Sequence, residues 1–133
     1  MQPDSARTLL RTTAILEAAT GIALLLAPEL VAQLLLGTQL LTAAALLVAR
    51  IAGAALLAIG LSCWLEGRRP AAVPVSGLVA GLLAYNALVC ALLGYAALVN
   101  GLRGLGLWPA CALHLGLALW CARVIRRAAT ART

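Results

Sequence analysis

Lysine and phenylalanine are both missing from this chain, aspartate and histidine each occur once, and only 11% of its 133 residues are charged. So few charged side chains cannot clothe a water-soluble domain of this size, because a small fold has a high surface-to-volume ratio and needs polar residues to cover it. The scarcity also removes several chemistries. With His114 the one imidazole, Asp4 the one aspartate, and Ser5 and Ser76 at or beyond the ends of the apolar runs, no Ser-His-Asp triad can be assembled. There is no CxxC pair, so a zinc ribbon or a thioredoxin-like motif is excluded. A lone histidine with scattered cysteines is a poor metal set, so no metal is assigned; haem is disfavoured as well, because a second axial histidine would have to come from another copy. Cys63, Cys90, Cys111 and Cys121 fall singly within apolar runs, where they read as small lipid-compatible side chains between helices. A Cys90–His114 nucleophile pair is disfavoured for the same reason, a thiol among apolar neighbours being inert.

What is abundant is apolar: 64% of the residues are hydrophobic and mean hydropathy is +1.04. A bilayer core of roughly 30 Å asks about 20 apolar residues of a helix. Four runs of that kind are present, over residues 8–27, 43–65, 75–99 and 105–125, and Gly or Pro stands at each break. Backbone groups in hydrocarbon must be satisfied within their own segment, and nothing alternates with the period of two of a barrel strand. The expected fold is therefore all-α, one transmembrane domain over residues 1–133 built as a four-helix bundle. Glu17 interrupts the first run and no A-x-A site precedes Pro28, so that run reads as a retained span, not a cleaved leader.

Charge gives the orientation. If both ends and the middle loop face the cytoplasm, that side holds Arg7, Arg11, Arg68, Arg69, Arg123, Arg126, Arg127 and Arg132, against Arg103 alone on the other. Eight against one is a strong positive-inside bias, which predicts a multi-pass protein of the bacterial inner membrane with both termini inside. It also accounts for the net charge of +6 without nucleic acid as a partner. Trp64 and Trp120 then fall near the inner interface and Trp108 near the outer. The segment 28–42 is too apolar for a solvated loop. Pro28 suits the first position of a helix, Glu29 its first turn and Gly37 its end, with Leu30, Val31, Leu34 and Leu35 on one face; a short helix on the outer membrane surface is expected. Small residues mark the expected helix contacts: Ala14, Ala18 and Gly21 in the first span, Gly77 and Gly81 in the third, Ala112 and Gly116 in the fourth.

Each span carries one strongly polar residue away from its ends: Glu17, Arg50, Asn86 and His114. Such groups cost roughly 2.5–3.5 kcal/mol each to insert, so they belong in the bundle interior with partners. Helical rise puts them at compatible depths in the outer half of the membrane, with Thr20 on the face of Glu17. The expectation is one cluster built on a Glu17–Arg50 ion pair and extended by Asn86, His114 and Thr20. Such a cluster either pins helix register or forms a pocket for a polar-headed ligand.

Several short stretches resemble DoxX-like proteins, small bacterial four-helix inner-membrane proteins: the Glu17 span ending in Ala27-Pro28-Glu29-Leu30, Ala49-Arg50-Ile51-Ala52-Gly53 followed by Ala58-Ile59-Gly60-Leu61, Tyr85-Asn86, and Trp108-Pro109 before Leu113-His114. The resemblance covers nearly the whole chain and implies a four-helix bundle and, for some members, association with quinone- or thiol-linked redox complexes. It carries over no catalytic residue. The leading functional reading is a non-enzymatic accessory or self-associating subunit, in a homo-oligomer or larger membrane complex, whose cluster holds a quinone- or lipid-like ligand. Two others stay open: a proton-linked or small-molecule transporter, and an enzyme acting on a lipid-soluble substrate through Glu17 or His114.

Overall fold

The computed structural model describes residues 3–40, 42–69 and 76–130. Among them there is no strand; the elements are α1 (Pro3–Leu26), α2 (Pro28–Leu36), α3 (Ala43–Gly67), α4 (Ser76–Leu98) and α5 (Leu107–Thr130). The four helices other than α2 are long and apolar enough to cross a membrane. This is a multi-pass membrane protein with a short helix between its first two spans. The expected turn at Pro70 and Pro74, and Arg132, lie outside the described residues.

The helices start and stop where local chemistry dictates. Pro28 opens α2, where its missing N–H is no loss, and Gly37 closes it in a left-handed conformation (φ +73°), its N–H donating to the Gln33 carbonyl. Thr42 caps α3, its side-chain oxygen accepting from the Ala45 N–H at 3.1 Å. After α4, Gly101 takes φ +68° and the chain reverses towards α5.

Two tight pairs make the bundle, α1 with α3 and α4 with α5, and the pairs touch each other more sparingly. The α1–α3 seam is glycine-made. A Cβ on Gly21 would lie 2.7 Å from the Gly53 carbonyl oxygen, one on Gly53 would lie 2.8 Å from that of Gly21, and one on Gly60 would meet the Ala18 nitrogen at 2.9 Å and the Ala14 oxygen at 3.0 Å. The backbones approach too closely for any side chain there. Ala14, Ala18 and Gly21 thus mark a contact as expected. Gly77, Gly81 and Gly116 do not: an added Cβ at any of them meets nothing within 4 Å, and Ala112 is exposed. Composition marks a helix surface as smooth, but only the partner's shape decides whether it is used.

The first turns of α1 pack beside α5: Trp120 Nε1 donates to Ser5 Oγ at 3.2 Å, tying the second half of α5 to the start of α1. Arg7 donates to the Arg69 carbonyl at 3.0 Å beyond α3. Trp64 lies at that end too, with the Arg68 guanidinium 6.0 Å from its ring centre. At the other end α2 folds back over the bundle. The Gly106 N–H donates to the Leu34 carbonyl at 2.8 Å, and Gly104 sits against the Leu35 carbonyl with no room for a side chain.

The packed core is at the end where α1 begins. Leu9, Leu10, Ala14, Cys63, Val79, Leu82, Leu117 and Cys121 form one buried cluster there. Towards α2 the packing opens into a cavity.

Candidate functional site

Above the core lies a chamber of about 550 Å³, within the size range of small-molecule sites. Every helix contributes to it. Leu16, Glu17, Thr20 and Leu24 come from α1, Leu56 from α3, Tyr85, Val89 and Leu93 from α4, and Ala110, Leu113, His114 and Leu117 from α5. Its roof is α2, through Val31, Leu34 and Leu35. The apolar face foreseen for this helix thus serves the interior as well, although Leu30 and half of Leu34 remain exposed.

The walls are apolar and the polar groups gather near one end. Glu17 is 4% exposed, and its Oε2 accepts a hydrogen bond from the Tyr85 hydroxyl at 3.2 Å. Tyr85 also meets the His114 ring edge-on, with centroids 5.7 Å apart and planes at 81°. His114 Nδ1 lies 2.8 Å from Oδ1 of the fully buried Asn86. The result is an unbroken sequence of contacts, Glu17–Tyr85–His114–Asn86, running across α1, α4 and α5.

The asparagine decides what histidine shows to the chamber. Asn86 Nδ2 is committed to the Leu82 carbonyl at 2.8 Å, so Oδ1 must face the ring and accept from Nδ1–H. In the neutral ring the lone pair is then on Nε2, which has no partner among the described residues. One fixed acceptor, one carboxyl and one phenol therefore converge on the same apolar space.

Three of the five expected cluster residues line the chamber, Glu17, Thr20 and His114, and Asn86 stands behind His114 as its hydrogen-bond partner. Arg50 does neither. It is exposed, and its Nε donates to the Leu25 carbonyl at 3.4 Å near the end of α1. The expected Glu17–Arg50 ion pair is absent; the one ion pair among the described residues joins Arg69 to Glu66 at 2.9 Å. The register of α1 on α3 separates the two. Gly53 packs against Gly21 and Gly60 against Ala18 and Ala14, so Glu17 stands level with the turns just before Gly60, whereas Arg50 reaches the Leu25 carbonyl, eight residues or about 12 Å further along α1.

Tyr85 takes the place assigned to Arg50. Its signal in sequence was a phenol in the middle of a span, away from the interfacial belts where tyrosine is at ease, and next to Asn86. A second residue was also passed over: Thr13, fully buried one turn below Glu17 on the same face of α1, whose hydroxyl finds no hydrogen-bond partner among the described residues. No cluster of three or more His, Cys, Asp or Glu that could hold a metal occurs among the described residues. Compared with known proteins, the chain matches no family model, no curated protein and no solved structure.

Proposed function

We propose that this chain is a non-enzymatic membrane subunit that holds an amphiphilic, quinone- or lipid-like molecule in the chamber. The observation that carries the reading is the polarity of that space: apolar walls of ligand size, with Glu17, Tyr85 and His114 gathered near one end. A head group bearing a hydroxyl satisfies the lone pair on His114 Nε2, one bearing a carbonyl accepts from a donor on the Glu17–Tyr85 side, and an isoprenoid or acyl chain lies along Val89, Leu93 and Leu113. Thr20 and Leu113 are exposed at the rim, about 9 Å below the α2 end of the bundle by helical rise. An opening at that depth admits a ligand dissolved in the bilayer.

The test is extraction. Protein purified in mild detergent is stripped with organic solvent and its lipids and quinones are measured by mass spectrometry, for the wild type and for His114→Leu. The expected result is one class enriched in the wild type and depleted in the variant. Bulk membrane lipid in the same proportions from both would end the proposal.

Orientation follows from charge. Arg7, Arg11, Arg68, Arg69, Arg123, Arg126 and Arg127 belong to the end that carries the chain termini, which we assign to the cytoplasmic face of a bacterial inner membrane. The DoxX-like pattern stands as part of the same proposal, since Tyr85-Asn86 and Leu113-His114, two of the stretches that carry it, supply polar groups of the chamber. Gly77, Gly81 and Gly116, at which an added Cβ meets no other helix among the described residues, support self-association through α4 and α5.

One observation favours a second reading, proton-linked transport. Tyr85 stands between two groups that exchange protons, a carboxyl it bonds and an imidazole it touches. Liposome flux in the wild type against Glu17→Gln separates the readings: equal flux removes transport and leaves binding untouched.

A further inference from the structure

We propose that Cys90 and Cys111 form a dithiol switch that closes into an α4–α5 disulfide on reaction with a hydroperoxide. The two sulfurs lie 3.5 Å apart across the helix seam, and the Cys111 thiol also donates to the Cys90 carbonyl at 3.6 Å. They are the two cysteines that are not fully buried; Cys63 and Cys121 belong to the packed core. A disulfide bond is about 2.05 Å long, and rotation about the two Cα–Cβ bonds brings the sulfurs that much closer without moving either helix far. Helical rise places Cys111 about 6 Å from the start of α5 and Cys90 about 12 Å from the end of α4, inside both apolar spans. That depth favours an uncharged oxidant that enters hydrocarbon, which a hydroperoxide is and a charged soluble disulfide is not.

The chemistry needs both cysteines. The inertness expected of a lone thiol in an apolar run does not carry over to a half-buried pair with a second sulfur 3.5 Å away. One sulfur gives up its proton and attacks the O–O bond; an S–O bond forms, the O–O bond breaks, and the alcohol or water that leaves takes the proton. The sulfenic acid is then attacked by the second sulfur, the S–S bond forms, and the hydroxyl leaves as water with the second thiol proton. Two thiols and one hydroperoxide give one disulfide, one alcohol or water, and one water. The sulfurs are oxidised by two electrons and the peroxide is reduced by two.

A disulfide here acts on the chamber. Val89 and Ala110, the residues just before Cys90 and Cys111, line its wall, so the bond fixes α4 against α5 beside the ligand space. The inference is independent of what the chamber holds.

The test uses the full chain in lipid nanodiscs, treated with hydrogen peroxide or with a phospholipid hydroperoxide, then blocked with maleimide and mapped by peptide mass spectrometry. A Cys90–Cys111 linkage reversed by dithiothreitol is expected, with Tm raised by about 5 °C in the oxidised protein. Cys90→Ser should instead leave a sulfenic acid on Cys111 that dimedone traps. Faster linkage with the lipid peroxide places the oxidant in the bilayer; faster linkage with hydrogen peroxide places it in water, and either supports the switch. Retention of all four thiols under both oxidants, or a linkage through Cys63 or Cys121, overturns it.

Discussion

The Tyr85 hydroxyl donates to the Glu17 carboxyl over 3.2 Å, joining α4 to α1, two spans that share few other contacts. Removing the donor strands a carboxyl that is 4% exposed, at a cost of about 1–3 kcal/mol. Tyr85→Phe should therefore lower Tm in detergent by several degrees. In a double-mutant cycle with Glu17→Leu, which removes the acceptor, the two losses should fall short of additive by more than about 0.5 kcal/mol. The same cycle between Glu17→Leu and Arg50→Ala should be additive within that margin, since Arg50 bonds the Leu25 carbonyl and not the carboxyl. Strong coupling to Arg50 with none to Tyr85 would refute the arrangement.

Glycine substitutions should divide the helices in two. Alanine at Gly21, Gly53 or Gly60 puts a Cβ within about 3 Å of the facing backbone, and the α1–α3 pair must part to admit it. Overpacking of this kind costs about 1–3 kcal/mol. Alanine at Gly77, Gly81 or Gly116 meets nothing within 4 Å among the described residues and gains up to about 1 kcal/mol of helix propensity. Thermal unfolding of the six variants in detergent at dilution sufficient to keep the protein monomeric measures both effects; the ranking fails if the second group is as damaging as the first.

Most of the architecture could be read from the sequence because hydrocarbon imposes length and polarity on every span. The ends of the short helix were marked by Pro28 and Gly37, whose backbone preferences are local. The short helix was marked by its own apolar face. The site was legible only in part. Glu17, Asn86 and His114 were visible as expensive residues at similar depth, and the chamber unites them. Arg50 was equally visible and went elsewhere, because the glycine seam sets the register of α3 on α1 and brings Arg50 level with Leu25, about two turns from Glu17. Tyr85 was nearly silent, since a tyrosine in an apolar run resembles core until its partner is known. The thiol contact of Cys90 and Cys111 was beyond reach for the same reason: nothing in either sequence neighbourhood says that α4 and α5 align those two turns.

Thr13 provides a test of how dry the core is. Its hydroxyl is fully buried and makes no hydrogen bond with any described residue, although helical threonines commonly turn back to a carbonyl one turn earlier. An unsatisfied buried hydroxyl costs about 1–3 kcal/mol, so Thr13→Val, nearly isosteric and without the hydroxyl, should raise Tm. A fall in Tm of the same size would mean that the hydroxyl is used, and would extend the polar sequence one turn below Glu17.

Ala110 offers a way to test the chamber without touching its polar groups. It lies on the wall contributed by α5, one turn before His114. Leucine there adds three carbons into a volume of about 550 Å³ and leaves the Glu17–Tyr85 and Asn86–His114 bonds in place. If an amphiphile occupies that space, the larger side chain competes with it directly. A loss of about 1.4 kcal/mol of binding corresponds to a tenfold fall in occupancy at low ligand concentration. Stability should move the other way or not at all, because filling a void adds contacts that the empty space lacks. Extracted ligand measured beside Tm therefore separates a binding chamber from an incidental gap: the chamber predicts ligand lost with Tm kept, whereas the gap predicts a higher Tm with the extract unchanged.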